Sequence, residues 1–224
     1  MKNKKSLTFA IVAASFYLLF IILTVLLKTV DVKILTTTSV GLSSLNNVFL
    51  AKQYNFGIDL VTDIIMYLSI LSFAVLAGIG IYQWITRKSL AKVDKNLFVI
   101  AGLAILMIGF YLFFDKVLIL NYRPMMIKDK LEPSYPSTHT LITTFLSLAA
   151  LSFFNKYLNK KSVKITSLCA VCAFIAVVAI GRMASGAHYL TDVLGGLFLG
   201  LGLYFTYETI NALFFSELEV KEEE

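Results

Sequence analysis

Leu7 to Leu27 is a run of apolar residues without a single charge, and five more largely apolar runs follow along the chain. A bilayer's hydrocarbon core takes about 20 helical residues to cross. In lipid, every backbone N–H and C=O must be satisfied within the protein, which leaves only helices and closed barrels. The later runs extend from about Ile58 to Ile85, Leu97 to Phe114, Thr138 to about Phe154, Ile165 to Gly181, and Tyr189 to Phe215. The expected fold class is therefore all-α, an integral membrane bundle of six transmembrane helices in one domain over residues 1–216. The first run exceeds the core of a secretory signal and lacks a small-residue cleavage site. It reads as a retained helix.

Composition agrees. The chain is 58% hydrophobic, its mean hydropathy is +0.80, and its 224 residues are too few for several domains. A formal charge of +6 would fit nucleic acid, but the basic residues lie in short clusters between the apolar runs. The clusters Lys2–Lys4–Lys5, Arg87–Lys88–Lys92–Lys95 and Lys156–Lys160–Lys161–Lys164 fall on one side of a six-span topology. The positive-inside rule makes that side cytoplasmic, together with both termini.

The stretch between the first two runs is more polar. Leu42, Leu45, Val48 and Phe49 recur at helix-like intervals, so Val40 to Phe56 reads as an amphipathic interfacial helix or a surface loop. Asp59 and Asp63 open the second run four residues apart. They read first as acids favoured at a helix N-terminus, with a carboxylate pair near a site as the alternative. Cys169 and Cys172 lie in a wholly apolar run without His or acid nearby, and read as small packing residues. Gly195, Gly196, Gly200 and Gly202 permit close helix packing in the sixth run. Glu217 to Glu224 is an acidic tail of disordered composition.

The chemistry gathers on the opposite, extracytoplasmic side. Lys116, Arg123, Ser137, His139, Arg182, His188 and Asp192 include both histidines and two of the three arginines. His188 and Asp192 stand one helical turn apart, so the carboxylate can hold one ring nitrogen and aim the other outward. Lys116, Arg123 and Arg182 are three cations suited to phosphoryl oxygens. Ser137 and the N–H groups of Thr138 and His139 open a helix, where anions bind. His139 supplies a second titratable group for a leaving oxygen. Taken singly, each residue has a bland reading as a cap or a snorkelling cation. Their shared face argues for a joint task.

Lys116…Arg123-Pro124, Pro136-Ser137-Thr138-His139 and Arg182…His188…Asp192 together resemble the three-part signature of the type 2 phosphatidic-acid phosphatase family. Its relatives include membrane lipid phosphatases and the soluble vanadium haloperoxidases. The resemblance implies that His188 is the nucleophile, that Asp192 orients it and that His139 is the general acid. It implies that Lys116, Arg123, Ser137 and Arg182 bind the phosphate, and the Thr138 N–H at the helix start joins them by position. It also implies a membrane lipid substrate, with undecaprenyl diphosphate first and phosphatidylglycerophosphate or phosphatidic acid next. No acidic cluster suited to Mg²⁺ accompanies the signature, so neither a metal nor another cofactor is expected. Two positions depart from the family: Thr138 stands where Gly is usual, and Gly181 where Ser is usual. These departures are the sequence's support for a rival class, a non-enzymatic transporter or scaffold on the same fold.

Overall fold

The computed structural model describes residues 2–35, 38–125 and 131–214. The acidic tail lies outside the described residues. Six long helices appear where the apolar runs stand: α1 (Lys2–Thr29), α3 (Phe56–Arg87), α4 (Lys95–Lys116), α5 (Thr138–Asn155), α6 (Lys161–Ala184) and α7 (Leu190–Phe214). Five of them are long and apolar enough to cross a membrane, and α5 is the exception. At 18 residues, with threonines, serines and a histidine, α5 is shorter and more polar. It sits inside the bundle against α7, α3, α6 and α4, so its side chains meet protein rather than lipid. Thr140, Thr143, Thr144 and Phe145 are all fully buried. The outer helices turn apolar side chains outward instead, such as Ile105 on α4 and Ile180 on α6.

Glycine on α7 brings the inner helices together. A Cβ on Gly196 would lie 2.4 Å from the Ser137 carbonyl oxygen, so only glycine lets α7 pass this close to the start of α5. The sequence reading of Cys169 and Cys172 as packing residues is corrected. Both are free thiols on the exposed face of α6, the face a lipid would touch.

The polar segment after α1 also differs from expectation. It forms an antiparallel hairpin, β1 (Lys33–Leu35) and β2 (Thr38–Val40), and then the six-residue helix α2 (Ser43–Val48). Instead of one amphipathic helix spanning Val40 to Phe56, the chain makes a short cap over the end of the bundle. In α2 the polar Ser43 and Asn46 face inward while Val48 stays exposed. The reason is a polar network beneath it, described below.

The ends of the bundle are distinct. At one end Asp94 bonds Lys156 at 3.0 Å and lies 3.7 Å from Arg87, so the loops after α3 and α5 meet there. The other end carries the three motif segments.

Candidate active site

Asp192 is fully buried in the first turn of α7. Its Oδ1 accepts from the Asn121 side-chain amide at 2.8 Å, and its Oδ2 from the Tyr189 backbone N–H at 3.0 Å. Asn121 is held in turn, because its Oδ1 accepts from the Gly41 N–H at 3.0 Å. Asn46 of α2 donates to the Gly41 carbonyl at 2.9 Å and accepts from the Thr191 N–H at 3.2 Å. The cap after β2 therefore braces the start of α7 through two buried asparagines. Buried amides keep their place only when their bonds are satisfied, which is why α2 turns its polar face inward.

His188 precedes α7 in the α6–α7 turn. Gly186 makes that turn possible: its φ is +78°, and a Cβ there would lie 2.9 Å from Met125 Sδ. The His188 N–H donates to the Arg182 carbonyl at 3.1 Å. His188 Nδ1 lies 3.6 Å from Asp192 Oδ2, just outside hydrogen-bond reach, and Nε2 has no partner. Burial, with the Arg182 and Arg123 guanidiniums nearby, holds His188 well below the ordinary histidine range. The ring is thus neutral, with a lone pair available.

His188 lines a polar cavity of about 410 Å³, together with Lys116, Arg123, Glu132, Tyr135 and Thr138. Lys116 ends α4 and pairs with Asp115 at 2.7 Å. Arg123 Nε stands 3.1 Å from Glu132. Ser137 caps α5 but is fully buried. Its N–H donates to the Asp192 carbonyl at 2.9 Å, and its hydroxyl accepts from Thr140 at 3.2 Å. The free N–H groups of α5's first turn begin after it, at Thr138 and His139.

Arg182 lies in the last turn of α6, just past the end of the fifth apolar run, and is 1% exposed. Its Nη1 donates to Asp59 Oδ1, to Thr62 Oγ1 at 3.1 Å and to Asp63 Oδ1 at 3.3 Å. His139 Nε2 lies 2.7 Å from the same Asp63 oxygen. The reading of Asp59 and Asp63 as simple N-terminal acids is therefore corrected. Asn55 caps α3, accepting from the Ile58 N–H at 3.1 Å, and the two acids face the site. Tyr54 donates to Asp59 Oδ2 at 2.6 Å; desolvation first, and then this carboxylate, push the phenol up to about 12, so it stays a donor.

The structure also accounts for Gly181. A Cβ there would lie 2.5 Å from Thr62 Cγ2. Thr62 occupies the space a serine side chain would need, and its hydroxyl reaches the Arg182 guanidinium.

Residues 97–213 match the sequence profile of the PAP2 superfamily. The chain belongs to the PAP2 superfamily. Among solved structures, a transmembrane PAP2-type phosphatidylglycerolphosphate phosphatase from Bacillus subtilis superposes with a TM-score of 0.61 at 20% identity, over 89% of this chain and 95% of that one. The shared fold is that of a multi-pass membrane protein. Lipid phosphate phosphatase delta of Arabidopsis thaliana is 36% identical over 83 residues, 35% of this chain. The match spans only 20% of that protein's length. The PAP2 profile begins in α4 and so contains all three motif segments, but not α3 with its two acids or the cap with Asn46. Nothing in the sequence marked Asn121, Asn46, Thr62 or Glu132, whose roles come from contacts across the chain. Asp59 and Asp63 did carry a signal: two acids four apart inside an apolar span, where ionisable residues are rare and functional by default.

Proposed function

We propose that this PAP2 protein is a membrane phosphatase that hydrolyses a lipid phosphate or diphosphate through a phosphohistidine on His188. The carrying observation is the His188 imidazole at the wall of a polar cavity, with Nε2 free and the Asp192 carboxylate 3.6 Å behind Nδ1. Nε2 attacks phosphorus in line, and the bond to the leaving oxygen breaks. His139 gives that oxygen a proton. It then takes one from water, and the resulting hydroxide cleaves the N–P bond to release phosphate. Asp192 takes up the charge that develops on the His188 ring. Lys116, Arg123 and Arg182, with the first-turn N–H groups at Thr138 and His139, stabilise the phosphoryl oxygens. Ser137 closes the floor of this group through its bond to Asp192.

Three cations can stabilise the transferring group without a metal, so hydrolysis is expected to survive EDTA. Loss under EDTA with rescue by Mg²⁺ would refute this account. The loop charges support a site on the extracytoplasmic face, where a lipid of the outer leaflet would reach it sideways. Undecaprenyl diphosphate is the substrate proposed first. Phosphatidylglycerophosphate, the substrate in the name of the similar Bacillus subtilis phosphatase, and then phosphatidic acid follow. The test is a substrate panel of these three lipids on purified protein, together with trapping of acid-labile, base-stable phosphate. Phosphate trapped on a His188→Ala variant would overturn the assignment, and release of phosphate from none of the lipids would overturn the activity.

A further inference from the structure

We propose that Asp63 and Asp59 of α3 are positioning residues of the transfer site. Asp63 fixes the His139 ring so that Nδ1 is the nitrogen that exchanges the proton. Asp59 holds Arg182 by Nη1 so that its Nε edge meets the phosphoryl oxygens. The inference rests on the phosphatase reading above.

Asp59, Thr62 and Asp63 stand three and four residues apart, on one face of a largely apolar helix. All three converge on Arg182. An imidazole has two nitrogens, and in His139 one of them, Nε2, is engaged at 2.7 Å by Asp63 Oδ1. Nδ1 is buried and has no partner. A neutral ring that donates Nε2–H to the carboxylate carries its lone pair on Nδ1. A protonated ring offers Nδ1–H. Both halves of the cycle therefore run through Nδ1: protonation of the leaving oxygen, then removal of a proton from water. The carboxylate holds the same face of the ring throughout.

Arg182 has the same design. Its guanidinium carries five N–H donors in a fixed fork. Nη1 bonds two carboxylates and one hydroxyl, while Nε is buried without a partner. An unpaired buried donor is costly, and a phosphoryl oxygen is a ligand that would satisfy it. Asp63 Oδ1 serves both residues, so His139 and Arg182 are set by one anchor on α3. Ser185 adds a weaker bond to Asp59 at 3.4 Å.

The test compares Asp63→Asn and Asp59→Asn on two esters, a lipid phosphate with a poor leaving group and an aryl phosphate with a good one. Proton donation is typically worth about 10²–10⁴-fold. Asp63→Asn should thus lower kcat on the lipid by about 10²-fold and on the aryl ester by less than about tenfold, with KM nearly unchanged. Asp59→Asn should instead raise KM and weaken inhibition by inorganic phosphate. Equal losses on both esters, with a lowered Tm, would show a purely structural role and overturn the proposal. A second measurement needs no activity. The chain has two histidines, so His188→Asn leaves His139 alone for ring ¹⁵N and ¹H spectroscopy. A downfield Nε2–H signal that moves upfield in Asp63→Asn is expected. A ring proton on Nδ1 instead, or a signal indifferent to Asp63→Asn, would refute the pair. If the wild type hydrolyses neither ester, the phosphatase reading falls, and the spectrum still decides the Asp63–His139 contact.

Discussion

The two histidines differ in what surrounds them, and that difference is measurable. His188 lines the cavity, whereas His139 leans on Asp63. His188→Ala should abolish phosphoenzyme on every substrate. His139→Ala should still phosphorylate His188 from an aryl phosphate and then accumulate the intermediate, because water is no longer activated. Equal inactivity of His139→Ala on aryl and lipid esters would mean the roles are misassigned. The depressed protonation of His188 has a second readout. The unfolded chain binds a proton there near pH 6.5, and the native chain binds it only at lower pH. Between those values unfolding takes up a proton, so this group's contribution is fully present above 6.5 and fades as pH falls toward the native value. Tm against pH should fall less steeply on the acid side in His188→Asn than in wild type. The four-residue spacing made the His188–Asp192 pair legible in the sequence, although His188 stands in the turn before α7 and not on its face. The sequence could not reveal Asn121, whose bond to Asp192 spans 71 positions and depends on how the loop folds back.

At the scale of elements, the spans were legible because hydrocarbon runs dictate helices in lipid. The boundaries shifted at the places that matter chemically. The fifth apolar run ends at Gly181, whereas α6 continues through Arg182 to Ala184 before Gly186 reverses the chain. The cap of β1, β2 and α2 was not legible, since its inward polar face answers to asparagines that no periodicity announces. α5 depends on the glycines of α7. Gly196→Val would press a branched side chain into the Ser137 carbonyl, and overpacking of this kind costs about 1–3 kcal/mol. The expected result is a lower Tm together with lost activity, because the same displacement moves Ser137 and the first turn of α5. A Gly196→Val protein with wild-type Tm would show that the interface has more room than the geometry gives it.

For the whole molecule, the two ends of the bundle predict a sidedness. The loop with Lys92 joins the Lys156 end, and the segment with Lys52 leads into α3 at the motif end. In a background with Cys169 and Cys172 replaced by alanine, single cysteines at these two lysines should label from opposite faces of intact cells, Lys52→Cys from outside. Labelling from the same face would sink the six-span arrangement. The fold class could be read from hydropathy alone, while the way α3 closes one wall of the site could not. Hydropathy says which segments cross the bilayer, and not which of them touch.

Each cation proposed to hold the phosphate already has a carboxylate of its own: Asp115 beside Lys116, Glu132 beside Arg123, Asp59 and Asp63 beside Arg182. An incoming anion therefore competes with the protein, and so does the departing one. In the proposed mechanism the carboxylates would recapture their cations as inorganic phosphate leaves, which would make them agents of product release. Glu132→Gln removes one competitor without touching the nucleophile. It should tighten inhibition by inorganic phosphate and slow turnover at saturating lipid, and unchanged phosphate inhibition would show that the pairs are spectators.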